Sequence, residues 1–417
     1  MQKLNIAILS YRSAKYGGGQ GVYVKDISMA LSLMGHKVDV ISGPPYPELY
    51  KDVHLIKLPG LNLFETFSFK DRVKKFLEKK KKNINDYYEF ISVLFGGFPE
   101  MKTFGDRANT FIKKNNNYDV IIDNQSISYG MIEIQKRLPF IEIIHHPITY
   151  DFRYELEVSK KIKYKISRYR WYSFLKMQKK VAPRIQSIIT PSQSSKKGII
   201  KDFKCKDENI TVINNGLDSF EFKPIEDAKR NPFRLITTAS ADVPLKGLDY
   251  SLKAIKKLKD EFPEIHLIVI GKIKKNGHTQ RLIEKIKIEE RVFFKSNLTK
   301  AEITDLYSRS SVAIVSSLYE GFGYPVIEAM SCEVPLIATN VSSIPELTKE
   351  FAILVDPKNE QMIANSVQKV LLNYDKYKEV AVKGRRHVIE NFNWAKITKE
   401  YENIIQKQIK RFNNADI

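Results

Sequence analysis

Short apolar runs alternate along most of this chain with longer segments of helical periodicity, and that alternation leaves few folds open. In the first half the runs are Asn5–Ser10, Lys37–Ile41, His54–Leu58, Val120–Asp123, Phe140–Ile144, Ser187–Thr190 and Ile210–Ile213. In the second half they are Phe233–Thr238, His266–Ile270, Val292–Phe294, Val312–Val315, Leu336–Ala338 and Ala352–Leu354. A strand that is apolar throughout is buried on both faces, and a helix after each strand is the crossover that a parallel sheet requires. Two such series predict an α/β chain with two doubly wound domains. Turn formers cluster from Asn214-Asn215-Gly216-Leu217-Asp218 to Lys223-Pro224, which sets the expected domains at 1–222 and 223–392. Residues 393–417 would add a C-terminal helix packing back on the first domain, amphipathic from Trp394 to about Ile409, with a frayed tail over Phe412–Ile417.

One stretch breaks the alternation. Between Asn62 and Asp119 no strand pattern is evident. The stretch carries a basic run from Lys70 to Lys82 and aromatics expected at the surface: Phe64, Phe67, Phe69, Phe95 and Phe98. A second basic-aromatic run extends from Lys160 through Arg170-Trp171-Tyr172 to Lys180. Lysines there could meet anionic headgroups while Phe and Trp insert; a solvated basic face with an acceptor lid accounts for the same residues. The formal charge of +21 points to an acidic partner, either a diphosphate ligand or an anionic membrane surface, unless it is only a lysine-rich exterior. Nucleic acid is not expected, because no zinc, helix-turn-helix or aromatic-faced strand signature accompanies the charge. Cys205 and Cys332 match neither a zinc pattern nor a disulfide framework, and Cys332 reads as a small core residue. The expectation is a cytoplasmic protein with no spanning helix, whose membrane contact would be peripheral and at the inner face.

The chemistry concentrates in a few places. Glu320-Gly321-Phe322-Gly323-Tyr324-Pro325-Val326-Ile327-Glu328 follows a strand and enters a helix. Its glycine-bracketed turn would offer free amides to a phosphate. The two flanking acids cannot bind phosphate but can accept hydrogen bonds from hydroxyls, which sugars and riboses supply. A phosphate cradle between two such acids describes a nucleotide-sugar site. Tyr16-Gly17-Gly18-Gly19-Gln20-Gly21 follows the first strand. It could bring backbone amides to an anion or be a plain turn, and it lacks the dinucleotide fingerprint. His145 and His146 end a strand, where ligands of open parallel sheets bind, although a strand-end histidine is often structural. No ligand set for a metal accompanies them. Lys246, after the first strand of the second domain, could neutralise a diphosphate or be one surface lysine among many.

These residues resemble the retaining nucleotide-sugar glycosyltransferases of the GT-B fold, specifically glycosyltransferase family 4. The likeness covers most of the chain and is carried first by Glu320 and Glu328. Lys246-Gly247, Gly18-Gly19, Asn215-Gly216-Leu217-Asp218 before Phe222-Lys223-Pro224, and Phe392-Asn393-Trp394 agree with it in order. The resemblance implies two Rossmann-like domains facing across a cleft, with the nucleotide held by the second and most of the acceptor by the first. Glu320 would contact donor-sugar hydroxyls near the anomeric centre. Gly321, Phe322 and Gly323 would meet the sugar and the distal phosphate, with Tyr324 beside them. Glu328 would accept from the ribose, Lys246 would neutralise the diphosphate, and Gly18 and Gly19 would approach that phosphate. His145 would bond the donor sugar, and Leu298 would pack near the base. No cofactor and no metal are implied beyond the nucleotide-diphosphate sugar.

One departure stands out. The family commonly places an arginine five residues before the lysine of its Lys-Gly pair, and here that position is Ala241. Arg12, Lys15 or Lys272 would have to supply the second charge. The expected activity is hexosyl transfer, with retained configuration, to a hydroxyl acceptor that is lipid-linked or a polysaccharide. A nucleotide-sugar epimerase, a phosphorylase of the same fold and a catalytically weakened membrane-peripheral protein are the competing readings.

Overall fold

The computed structural model describes residues 3–13, 19–66, 68–240 and 242–415. The chain divides into two compact units, one of Met1–Asn214 with Ile397–Ile417 and the other of Asn215–Lys396.

The first unit is built on a seven-stranded parallel sheet in the order β3-β2-β1-β4-β5-β6-β7. The strands are β1 (Asn5–Ser10), β2 (Lys37–Ser42), β3 (His54–Lys57), β4 (Val120–Asn124), β5 (Phe140–Ile143), β6 (Ile188–Thr190) and β7 (Ile210–Val212). The centre of the sheet is β1, where Ile6 pairs with Val38 on one side and Val120 on the other. Ile6, Ala7, Ile8 and Leu9 are all fully buried there. Each large side chain so buried contributes about 1.5–3 kcal/mol, which is why a run apolar on both faces settles in the middle of the sheet.

The second unit holds a six-stranded parallel sheet ordered β10-β9-β8-β11-β12-β13. Its strands are β8 (Asn231–Thr238), β9 (His266–Ile270), β10 (Val292–Lys295), β11 (Ser310–Val315), β12 (Leu336–Thr339) and β13 (Ile353–Val355). Every expected strand is present, with ends displaced by at most two residues. In both sheets the chain starts in the middle, winds to one edge and then returns to wind to the other. The switch points are β1/β4 and β8/β11, the places where open α/β sheets bind ligands at their carboxyl ends.

Between β3 and β4 lie the helices Phe69–Glu78, Ile84–Leu94 and Glu100–Lys114. Ser68 caps the first by accepting from the Asp71 amide, and Asn83 with Asp86 forms a capping box on the second. The third packs Met101, Phe104, Ala108 and Ile112 into the core of the sheet. The first two bury no apolar side chain fully, and Phe76 and Phe90 are half-buried against each other. Of the aromatics expected at the surface, Phe64, Phe69 and Phe95 are exposed, while Phe67 lies outside the described residues. Phe98 corrects the expectation, being buried against Trp171 with ring centroids 5.1 Å apart and against Phe174 at 5.7 Å. Trp171 is likewise half-buried. A ring that finds other rings to pack against leaves water, whatever the charge of its neighbours.

The last helix runs from Trp394 to Ala415, so its end continues through residues expected to fray. Its residues from Ile397 onward belong to the first unit. There Tyr401 and Tyr23 share a buried hydroxyl–hydroxyl bond of 2.6 Å, and His36 lies 3.6 Å from Glu402. In the second unit the Leu217 amide donates to the Phe392 carbonyl at 2.6 Å, so the segments entering and leaving that unit are bonded together. No helix among the described residues is long and apolar enough to cross a membrane.

Candidate functional site

Two loops at the β8/β11 switch point make the site of the second unit. After β8 the chain reaches Pro244-Leu245-Lys246 and turns at Gly247, whose φ of 59° is left-handed. A Cβ at Gly247 would stand 2.0 Å from the Ser316 carbonyl oxygen, so only glycine lets these loops touch. The contact is sealed by Leu318 N–H donating to the Leu245 carbonyl at 2.7 Å and by Ser316 Oγ donating to the Gly247 carbonyl at 2.9 Å. Lys246 is thereby delivered to Glu320, its Nζ 2.7 Å from Oε1. Ser317 Oγ donates to the same carboxylate oxygen at 2.7 Å.

Serines hold the backbone of the second loop. Ser342 Oγ accepts from the Glu320 amide at 2.8 Å, and Ser343 Oγ donates to the Glu320 carbonyl at 2.9 Å and also to that of Phe322. Gly323 then takes φ 117°, and the helix Tyr324–Ser331 begins, with Pro325 in its first turn. Phe322 is buried with its ring against Tyr324 and Phe392, so it anchors the turn as part of the core. Glu320 is only 8% exposed, yet it keeps a lysine and a serine as partners. A carboxylate this deep is stabilised by such bonds.

Glu328, on the helix that follows, accepts from the Tyr307 hydroxyl at 3.3 Å, and that hydroxyl lies 3.1 Å from Thr238 Oγ1. Burial pushes its carboxyl up to about 7, against the opposing pull of the Tyr307 bond and of Lys300 and Lys246. Leu298 is half-buried in the loop after β10. The second unit therefore brings together Lys246, Glu320 and Gly321–Gly323, with Tyr324 and Glu328 on the adjoining helix. Ala241 lies outside the described residues.

The first unit places other expected residues at the carboxyl ends of its own strands. Gly19 opens the helix Gly19–Leu33, and Gly18, with Lys15, Tyr16 and Gly17, lies outside the described residues. His145 follows β5. Its Nε2 lies 2.8 Å from Asn124 Oδ1, an acceptor, so Nε2 carries the proton and Nδ1 presents a lone pair. Burial, with His146 beside it, pushes the imidazole down to about 3, so it is neutral. The side chain of Gln125 clamps the same segment, accepting from the His145 amide at 2.8 Å and donating to the His146 carbonyl at 3.2 Å.

Asn124 and Gln125 were not anticipated from the sequence. Their only trace there is a polar triplet, Asn124-Gln125-Ser126, at the end of an apolar strand. Gln125 and Ile127 adopt left-handed φ of 60° and 46°, held by Asp123, whose Oδ2 accepts from Ser126 N and Ser126 Oγ at 2.8 Å each. Strain of this kind is retained where the surroundings over-determine it. Among the bases considered for the second charge, Arg12 is already occupied, 3.8 Å from Glu100 and stacked 3.9 Å over Phe64. Lys272 is exposed in the loop after β9, beside β8. Among the described residues no cluster of three or more His, Cys, Asp or Glu side chains could hold a metal ion.

Comparison with known proteins gives a consistent set of likenesses. Residues 17–219 match the model of glycosyltransferase family 4, and residues 219–387 match that of the glycosyl transferases group 1. The chain is 36% identical over 414 residues to the MMP alpha-(1->4)-mannosyltransferase of Mycolicibacterium hassiacum, covering 98% of this chain and 99% of that protein. Among solved structures, sucrose-phosphate synthase from Thermosynechococcus elongatus superposes with a TM-score of 0.75 at 19% identity, over 98% of this chain and 100% of that one. Anabaena HepE in complex with UDP-glucose gives a TM-score of 0.71 at 16% identity, over 97% and 100%.

Proposed function

Since this chain belongs to glycosyltransferase family 4, with the two Rossmann-like domains of a GT-B fold, we propose that it transfers a hexose, mannose in the first instance, from a nucleoside-diphosphate donor to a saccharide hydroxyl with retained anomeric configuration. The observation that carries this reading is the pairing of Lys246 with Glu320 at 2.7 Å, beside a glycine turn that opens a helix. The choice of mannose rests on the mannosyltransferase relative. Retention rests on the α-linkage in that relative's name, because an α-linked product from an α-linked nucleotide sugar keeps its configuration.

In this mechanism the bond from the anomeric carbon to the diphosphate oxygen breaks as the bond to the acceptor oxygen forms on the same face. The acceptor's proton passes to the departing diphosphate. Lys246 and the amides of Gly321, Phe322 and Gly323 stabilise the charge that builds on the leaving oxygens. Lysine supplies the positive charge that a metal ion provides elsewhere, so a chelator should leave the rate unchanged. Glu320, released from Lys246 when the diphosphate arrives, accepts hydrogen bonds from the sugar hydroxyls. Glu328 accepts from the ribose, Leu298 packs near the base, and Tyr324 lines the helix entrance. His145, neutral with Nδ1 as acceptor, takes a hydroxyl of the donor sugar. Gly19, which opens the helix Gly19–Leu33, is the backbone position proposed to meet the phosphate. Lys272 is the base proposed to stand in for the missing arginine.

Assay with GDP-mannose, UDP-glucose and other nucleotide sugars tests the reading. Lys246→Ala and Glu320→Gln should each lower kcat by about 10²–10³ while the fold is retained. Near-normal turnover by Glu320→Gln would remove the assignment, and NMR detection of a β-linked first product would remove retention.

A further inference from the structure

We propose that the helices Phe69–Glu78, Ile84–Leu94 and Ile162–Trp171 together form a docking face for an anionic lipid bilayer. The helix Ile84–Leu94 is amphipathic in the reverse of the usual sense. Its only buried side chains are two acids, Asp86 and Glu89. Asp86 is bonded to Lys79 at 2.6 Å, and Glu89 to Arg107, to Thr103 Oγ1 and to the Leu61 amide. The apolar side faces outward, with Ile84 83% exposed, Ile91 52% and Phe95, just past the helix, 70%. A surface helix of a globular protein normally shows the opposite arrangement.

The same pattern recurs on its neighbours. In Ile162–Trp171, where no side chain is fully buried, Ile162, Ile166 and Tyr169 recur at helical spacing with exposures of 75%, 46% and 60%. In Phe69–Glu78, Phe69 and Leu77 are 65% and 66% exposed. The three helices adjoin. Phe76 of the first stacks on Phe90 of the second at 4.3 Å, and Gly96 after the second lies against Arg170 of the third. Apolar exposure repeated over adjoining helices points to an interaction site.

Charge selects the occupant. Residues 69–82 carry eight basic side chains against two acids, and residues 162–171 carry four against none. Asp86 offsets Lys79, one of those eight, and Glu89 is matched by Arg107 of the next helix, so neither buried acid offsets the remaining lysines. A second copy of this chain meeting the face about a two-fold axis would set lysine against lysine. A nucleic acid would satisfy the lysines and leave isoleucine and phenylalanine wet. An anionic bilayer satisfies both, with headgroups meeting the lysines and the acyl boundary taking the apolar side chains.

Flotation of the purified full chain with phosphatidylcholine vesicles, with and without phosphatidylglycerol, tests this. Binding is expected only with phosphatidylglycerol and should weaken as salt is raised. The triple variant Lys74→Glu/Lys81→Glu/Lys163→Glu should lower the partition coefficient by at least about 100-fold, and Ile84→Ser/Phe95→Ser/Ile162→Ser should also lower it strongly. All six side chains are exposed, so the fold should survive, as circular dichroism would verify. Equal binding to neutral vesicles, no binding to either, or indifference to both variants would overturn the proposal. So would light scattering that reveals a dimer abolished by the apolar variant. The readout needs no turnover, so its outcome is separate from that of the transfer reaction.

Discussion

At the residue scale the site rests on acids whose surroundings differ sharply. Glu320 has a lysine and a serine as partners, whereas Glu328 has one tyrosine hydroxyl and a carboxyl pushed up to about 7 from an ordinary 4.5. Between those values the unfolded chain has released this proton and the folded protein has kept it. The unfolded state then binds fewer protons, so this group makes stability fall as pH rises from about 4.5 through about 7. Glu328→Gln removes the contribution. Thermal melts across that window should show a smaller decline for the variant than for the native chain, and identical declines would contradict the assignment. The two acids were legible in the sequence because glycines and a helix start frame them. Asn124 and Gln125 were not, because their role depends on β4 lying beside β5, a neighbour relation that no local pattern encodes.

At the scale of elements, the contact between the Lys246 loop and the Ser316–Leu318 loop sets the geometry of the site. Gly247→Ala would force alanine into left-handed backbone and drive its Cβ against the Ser316 carbonyl. A cost of about 3 kcal/mol is expected, read as a lower denaturation midpoint with an unchanged slope. A variant as stable as the native protein would mean that the loops can part freely. The strands were readable along their whole length because burial on both faces leaves a continuous apolar signature. The helices between β3 and β4 were harder, since two of them bury no apolar side chain fully and so lack the pattern by which a packed helix is recognised. Phe98 misled for a related reason: it lies in a stretch without strand pattern, yet its ring meets Trp171 and Phe174.

At the scale of the whole molecule, the first compact unit is completed only by the last residues of the chain. Ile405 is fully buried in it, and Ile405→Ala should cost about 2–5 kcal/mol, measurable by chemical denaturation. A negligible loss would show that the terminal helix is dispensable. Binding should also register globally: a nucleoside diphosphate at 100 times its dissociation constant should add about 2.7 kcal/mol of stability. Thermal-shift measurement with and without chelator would test this, and a gain that vanishes with the chelator would argue against lysine as the sole counter-charge. The excess of positive charge, +21 over the chain, predicts the sign of a partner but not its kind; the bilayer proposal draws instead on the side-chain exposures of the helices after β3.

The chain passes from the first unit into the second after Asn214 and returns after Lys396, with Leu217 and Phe392 bonded near the two crossings. The second unit is thus an insertion into the first. A protease that cut after Asn214 would break the only covalent link of Met1–Asn214 to the rest of the chain and leave the pieces held by the packing of Ile397–Ile417 in the first unit. A chain nicked there should remain a single particle in native buffer and fall into two pieces once denaturant frees the terminal helix.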